Sequence, residues 1–197
     1  MSEALSRRVE RRTRQRASNR AAILDAARRI AAQQGAGNLS LRSVAAEAGY
    51  APASVYEYFH NRAELVLALA SDDLSALARE LRDRKKSEAP VQAAAAVVLE
   101  FLRHNRALPA AVLSLAGDAT PQEAERLFNG KLISALTTFA DAAGFGPVGN
   151  RTRQADVVLA VAALIGLSVL ARSGRVSALS LDTDLLVERL AALYSTR

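Results

Sequence analysis

The sequence predicts an all-α protein. Ala, Leu, Glu and Arg dominate its 197 residues, and each of these residue types favours helix. Apolar residues recur three and four positions apart through most of the chain, and no stretch alternates with the period of two that marks a strand. The length suits one ordinary domain, or a small domain joined to a larger one, and either can bury a hydrophobic core.

The first predicted helix follows Ser18 or Asn19, either of which suits an N-cap. The segment "RAAILDAARRIAAQQG" then ends at Gly35, a typical residue just beyond a helix C-terminus. One face of this helix is apolar, which predicts that it packs against a core. The residues on that face are Ile23, Ala27, Ile30 and Ala31.

Two short helices and a long one are predicted next. Ser40 suits the N-cap of a helix that closes at Gly49, and Pro52 suits the first position of the following helix. A tight glycine turn therefore separates two brief helices. Beyond Asn61, a further N-cap, a long amphipathic helix runs into the charged segment "DRKKSEAP", which we expect to link two regions.

The remainder of the chain brings the predicted total to about nine helices. Pro90, Pro109 and Pro121 fit helix starts, and residues 142–150 form a loop. Two terminal helices span 150–173 and 182–196. The first contains the apolar run "ADVVLAVAALIGLSVLA", which is at the lower end of the ~17 to 25 residues of a membrane span. Because this run opens with an acidic residue, we expect a buried interface instead of a membrane helix.

Charge and composition restrict the function. The net charge of +6 lies entirely in residues 1–62, which hold eleven arginines against five acids, whereas the rest of the chain is neutral. A localised excess of this kind favours a polyanionic partner. The chain has no Cys and two His, which excludes disulfides, thiolate zinc sites and cysteine nucleophiles, and we expect neither a metal nor a cofactor. The basic N-terminus lacks the apolar run of a signal peptide, so a cytoplasmic protein is expected.

The segment "YAPASVYEYFHNR" predicts a DNA-reading helix. At ~100° per residue, Val55 and Phe59 share one face and must point inward. Ala53, Ser54, Glu57 and His60 point outward, and Tyr56 and Tyr58 lie on the two margins. A helix seated in the major groove has its margins at the sugar-phosphate walls, where a phenol donates to a phosphate. The alternative for Tyr56 is a half-buried core residue with its hydroxyl in water.

At these residues the sequence resembles the tetracycline-repressor (TetR) family of bacterial transcription regulators. The similarity covers about residues 20–67. It rests on the spacing of Ser40, Ala45, Ala48, Gly49, Tyr56, Phe59, Arg62 and Leu65. The resemblance implies a helix-turn-helix domain at 18–62 and a ligand-binding and dimerisation domain at 63–197.

The resemblance also implies roles for individual residues. Ser40, Tyr56 and Arg62 would contact phosphates. The residues facing the groove would be Arg42, Pro52, Ala53, Ser54, Glu57 and Tyr58. Pro52 stands where many relatives have a polar residue, and Glu57 places a carboxylate toward an anionic groove. We expect the Glu57 side chain to point away from the bases, the alternative being acceptance from a cytosine amine.

The first 17 residues form an arginine-rich arm, predicted to be flexible. Arms of this kind in other helix-turn-helix proteins enter the neighbouring minor groove. We therefore expect the arm, through Arg14 and Arg16, to contact DNA, the alternative being a solvated tail.

For the second domain the resemblance implies a homodimer, a palindromic operator of double-stranded DNA, and a small-molecule effector that releases a repressor. The recognition helices of such a dimer lie about 34 Å apart or as the dimer sets them. The last two long helices would form the interface, through Val158, Ala162, Ile165, Val169, Leu186, Leu190 and Leu193. The candidate pocket residues, each with plain core packing as its alternative, are Phe101, His104, Phe128 and Phe139. A pocket of these residues suits a hydrophobic effector.

Two other classes of function remain to be weighed. An enzyme has little support, because the sequence carries neither a glycine-rich phosphate loop nor a paired-carboxylate constellation. A helical interaction protein that binds DNA non-specifically through its arginine arm is the second alternative. Discrete palindromic binding sites would distinguish a regulator from such a protein.

Overall fold

The computed structural model describes residues 2–105, 122–146 and 151–195. This part of the chain is helical and contains no strand. A single turn of 3-10 helix covers Ala36–Asn38. The α-helices are α1 (Ser2–Gln34), α2 (Leu41–Ala48), α3 (Pro52–Tyr56), α4 (Arg62–Asp83), α5 (Pro90–His104), α6 (Gln122–Ala142), α7 (Arg151–Arg172), α8 (Arg175–Ala178) and α9 (Thr183–Ser195). The all-α prediction is confirmed.

Helix α1 begins earlier than predicted. It runs without a break from Ser2 to Gln34, so the expected N-cap at Ser18 or Asn19 is wrong. The arginine-rich segment, predicted to be a flexible arm, forms the first half of this helix. Its residues are good helix formers without Gly or Pro, and Thr13 bonds its hydroxyl back to the Val9 carbonyl at 3.0 Å. The C-terminus is as predicted, with Gly35 at a φ of 85°.

Most of the other predicted boundaries agree with the structure. Pro52 and Pro90 each open a helix, and Asn61 caps α4 by accepting a hydrogen bond from the Glu64 amide at 2.8 Å. The predicted helix starts at Pro109 and Pro121 lie outside the described residues. Helix α8 was not predicted.

The helices pack into a small head, α1 to α3, and a larger body. Helix α4 leaves the head and packs along α6, α5 packs on α7, and α9 packs on α5 and α7. One continuous hydrophobic core joins the two parts. Its largest fully buried side chains include Phe59 in the head and Phe128 and Phe139 in the body. The head is therefore attached to the body by shared packing along α1 and α4.

Candidate DNA-binding surface

Helices α2 and α3 form a compact unit held by a capping box and a glycine turn. The Ser40 hydroxyl accepts from the Ser43 amide at 3.0 Å, and the Ser43 hydroxyl accepts from the Ser40 amide at 3.1 Å. Gly49 adopts a φ of 72°, a left-handed conformation that costs glycine little. Its position lets the chain reverse directly into α3. The predicted N-cap and turn are confirmed.

Helix α3 presents a reading face and buries an anchor. Val55 and Phe59 are 0% and 1% exposed, which confirms that they point inward. The α-helix ends at Tyr56 and is therefore shorter than predicted. The Tyr58 and Phe59 amides still donate to the Val55 carbonyl at 3.0 Å, so a hydrogen-bonded turn extends beyond the end of the helix.

The predicted groove-facing residues mostly reach solvent. Pro52, Ala53 and Glu57 are exposed, Ser54 is half-buried, and Arg42 on α2 is exposed beside them. The Tyr56 side chain is 47% exposed. Ser40 is also exposed, at the start of α2. These residues thus lie on the solvent-exposed side of the α2–α3 unit.

Tyr58 has a different environment from Tyr56. Its half-buried hydroxyl accepts a hydrogen bond from the Asn19 amide at 3.2 Å. The Asn19 side-chain oxygen in turn accepts from the Tyr50 hydroxyl at 3.3 Å and from the Gln15 amide at 2.9 Å. Asn19 therefore fixes α1 against the residues on both sides of α3. The sequence analysis interpreted Asn19 as an N-cap. Its role in joining α1 to the α2–α3 unit would have been indicated only by the presence of a polar residue on the inner side of a longer helix.

Arginines of α1 lie against α3. The Arg16 guanidinium lies 5.7 Å from the centre of the Tyr58 ring, and it donates to the Glu57 carbonyl at 3.5 Å. Arg20 lies 5.4 Å from the Phe59 ring centre. Residues four apart on a helix differ by only ~40° in direction, so Arg12 and then Arg8 follow Arg16 toward the start of α1 with a drift of ~40° at each step. Arg14 points elsewhere, is 84% exposed and lies 4.0 Å from Glu10.

Arg62 braces the domain at the start of α4. Its half-buried guanidinium donates from Nε to the Leu39 carbonyl at 2.9 Å, directly before Ser40. Next to it, His60 bonds Glu64 through both its amide, at 2.7 Å, and its ring Nδ1, at 2.9 Å. The predicted phosphate residues Ser40 and Arg62 thus stand close to one another in the fold.

An ion pair between a half-buried arginine and a buried aspartate joins the head to the body. Arg28 of α1 donates from Nε and Nη2 to one Asp73 oxygen of α4, at 3.2 and 3.0 Å. Asp73 is 2% exposed, and its other oxygen is buried with no hydrogen-bond partner among the described residues. Burial raises the pKa of Asp73 above its ordinary value, and the Arg28 charge opposes that rise. The pair places an electrostatic link between the head and α4.

The body contains a small apolar cavity between α4, α5, α6 and α7. Its volume is about 50 Å³, well below the roughly 300 to 1,000 Å³ of typical ligand pockets. Of the four candidate pocket residues, Phe139 lines this cavity. Phe101 and Phe128 are buried elsewhere in the core, and His104 is exposed and bonds the Glu100 carbonyl at 3.0 Å. The structure therefore does not bring the four residues together.

The predicted interface residues divide into two groups. Val158, Val169 and Leu193 are 52%, 44% and 66% exposed, and Ala162 is exposed too. Ile165, Leu186 and Leu190 are half-buried, and Ile165 lines the apolar cavity. Helix α7 is long and apolar enough to cross a membrane, and 28% of its most apolar stretch is buried. One face of α7 packs on the core while the other exposes apolar side chains.

A head of three helices whose α2–α3 unit exposes a reading face defines the helix-turn-helix class. Residues 23–69 match the family model described as bacterial regulatory proteins, tetR family. The TetR-family resemblance is confirmed over these residues, which are similar to the helix-turn-helix domain of this family of transcription regulators.

Solved structures show the same fold over nearly the whole chain. A TetR transcriptional regulator from Rhodococcus sp. RHA1 is 20% identical with a TM-score of 0.68, covering 91% of this chain and 96% of that one. The fatty acid degradation regulator FadR from Bacillus halodurans is 17% identical with a TM-score of 0.61, covering 88% and 93%. FadR from Bacillus subtilis, in complex with stearoyl-CoA, is 18% identical with a TM-score of 0.59, covering 87% and 95%. These likenesses establish the fold.

Proposed function

We propose that the protein binds a palindromic DNA operator as a homodimer and represses transcription in the cytoplasm. The observation that carries this proposal is the reading face of α2 and α3. Its exposed side chains, Arg42, Ala53 and Tyr56 among them, stand at the end of a head that holds the whole charge excess of the chain. Small residues at the start of α3 allow close approach to base edges, and the basic surroundings attract phosphates.

The first half of α1 supports contact with DNA beyond the recognition helix. Arg16 is placed against α3, and Arg12 and Arg8 extend its side of the helix by two further turns. We infer that this arginine stripe follows the sugar-phosphate backbone next to the groove that α3 enters. Arg14 lies on another side of α1. It would contact the DNA only if the DNA also covered that side of the helix.

The exposed apolar face of α7 supports the homodimer. A face that carries Val158, Leu159, Val169 and Leu170, each at least 44% exposed, is costly to leave in water. Gly166 lies within this face, with no heavy atom within 4 Å of the position of an added Cβ, so two helices can approach closely there. We propose that α7 and α9 pair with their symmetry mates, which puts two heads on one DNA molecule. Ile165 does not belong to this exposed face, because its side chain lines the apolar cavity.

The apolar cavity supports a hydrophobic effector. Ten side chains from four helices line it, and none is polar. The cavity is smaller than a typical ligand pocket, so we infer that this is a closed state of the body, which must open to admit a ligand. A ligand that favours the open state would shift the position of α4 and thereby weaken operator binding by its differential affinity. The proposal is supported by FadR from Bacillus subtilis, which has the same fold and was solved in complex with stearoyl-CoA.

The change Tyr56→Phe tests the reading face. It keeps the ring and removes a hydroxyl that has no hydrogen bond to any described residue, so the stability of the protein should stay constant. A hydrogen bond to a charged phosphate contributes about 1.5 kcal/mol or more, and operator affinity should fall about tenfold. Fluorescence anisotropy with an operator duplex measures the change.

The matched control is Tyr58→Phe, which removes the hydroxyl that accepts from Asn19. This variant should lose stability in thermal unfolding, since the bond joins α1 to the α2–α3 unit. Unchanged operator affinity for Tyr56→Phe would remove the phosphate contact from the proposal.

A further inference from the structure

A cationic cleft lies at the end of the body where α4 stops. It has a volume of about 500 Å³ and is formed by the last turn of α4, the segment after it, the start of α5 and the end of α6. Four basic side chains line it, and the one carboxylate among its lining residues is Asp141. The basic residues are Arg82, Arg84, Lys85 and Lys86. The cleft is therefore strongly positive although the body as a whole is neutral.

Part of this charge has a simple structural explanation. Basic residues at a helix C-terminus complement the helix dipole, and α4 ends at Asp83. Arg84 also donates from Nη2 to the carbonyl of Ala142, the last residue of α6. These contacts account for one donor of Arg84 and for the position of the basic residues. They do not account for the remaining donors of the guanidinium.

The Nε and Nη1 atoms of Arg84 are buried, and neither has a hydrogen-bond partner among the described residues. Leaving a buried donor of a charged group unpaired costs on the order of 1 to 3 kcal/mol. Arg84 therefore holds unused hydrogen-bonding capacity at the wall of the cleft. A guanidinium that offers several donors in one plane matches the oxygens of an oxyanion.

We propose that this cleft is an anion-binding site that takes a phosphate group. Arg84 supplies the hydrogen bonds, and the exposed Lys85 and Lys86 supply further positive charge. A phosphate dianion suits this excess of positive charge better than a single carboxylate does, since Asp141 compensates only one of the four positive charges. The site does not depend on the proposed operator binding, since it is at the end of α4 opposite the head.

The cleft lies close to the apolar cavity of the body. Leu81 of α4 lines the cleft, and Leu77, one turn earlier, lines the apolar cavity. On α6, Thr138 lines the cleft and its neighbour Phe139 lines the cavity. A phosphate bound beside Arg84 can therefore be free, or it can be the head group of a ligand whose apolar part points toward the cavity.

Isothermal titration of the full-length protein with inorganic phosphate and with hexyl phosphate, at constant ionic strength, tests the site. We expect saturable binding, weakened at least about tenfold by Arg84→Gln. Because Arg84 also bonds α6, the exposed pair Lys85→Gln and Lys86→Gln serves as a second variant that leaves this bond in place, and it should weaken binding several-fold. The control Arg103→Gln removes a 65% exposed charge from α5, outside the cleft lining, and should change nothing.

Tighter binding of hexyl phosphate than of phosphate would identify a head group as the natural ligand, and equal binding would identify the free anion. Either result supports the site. Absence of saturable binding for both probes, or binding that neither variant weakens, overturns it. Operator binding measured on the same samples keeps this outcome separate from the fate of the proposed function.

Discussion

Replacing Arg28 with Met should lower the free energy of unfolding by about 3 kcal/mol at neutral pH. The change leaves the Asp73 carboxylate buried at 2% exposure without its cationic partner, and breaking a buried pair from one side costs several kcal/mol. Urea denaturation measures the loss. Arg29→Met is the matched control, because it removes an exposed pair with Glu47 and should cost less than about 1 kcal/mol.

The loss should depend on pH. The pKa of Asp73 is already raised in the folded protein, so its burial favours the protonated carboxyl and the associated stability decreases as pH rises above the ordinary value of 3.8. Removing Arg28 raises this pKa further. The cost of Arg28→Met should therefore be largest at neutral pH and should shrink on acidification. It should also shrink in an Asp73→Asn background, and an equal cost in both backgrounds would contradict the pairing.

Val158→Asp should convert the proposed homodimer to monomers. The side chain is 52% exposed in the single chain and lies on the apolar face that we assign to the dimer, where a buried unpaired carboxylate has no compensation. We expect the dimer dissociation constant to rise at least about a hundredfold, with a corresponding loss of operator affinity. Sedimentation velocity over a concentration series measures the first effect.

Leu127→Asp provides the control for this experiment. Leu127 is 50% exposed but belongs to α6, away from the proposed interface. The substitution introduces the same charge and should leave the dimer intact. A dimer that survives Val158→Asp would show that α7 does not form the interface.

Local signals account for the features that the sequence predicted well. The side chains of Ser40 and Asn61 accept hydrogen bonds from backbone amides at helix N-termini, and Gly49 lets the backbone reverse at a helix C-terminus. The fixed φ of proline starts two other helices, at Pro52 and Pro90. Each of these effects acts within about four residues, so it can be recognised without the fold. The inward positions of Val55 and Phe59 follow from helical periodicity in the same way.

Features that depend on long-range contacts were missed. The Arg28–Asp73 pair joins residues 45 positions apart, and the Asn19–Tyr58 bond spans 39. Neither pair has a sequence spacing that indicates contact. The predicted start of α1 was wrong because Ser18 and Asn19 both suit an N-cap. The chain before them favours helix, and the Asn19 side chain forms hydrogen bonds with the hydroxyls of Tyr50 and Tyr58 instead. Ile165 was assigned to the interface by the family resemblance, and in the single chain it is half-buried and lines the apolar cavity.

We propose that the α2–α3 face reads a specific DNA sequence. The most direct measurement is genome-wide mapping of the bound DNA, followed by footprinting on the recovered fragments. A regulator of the proposed kind should protect a small number of discrete sites with approximate two-fold symmetry, and half-sites about one helical turn apart or a multiple of it. Diffuse coverage without a shared palindromic sequence would contradict the proposal and favour non-specific binding through the arginines of α1.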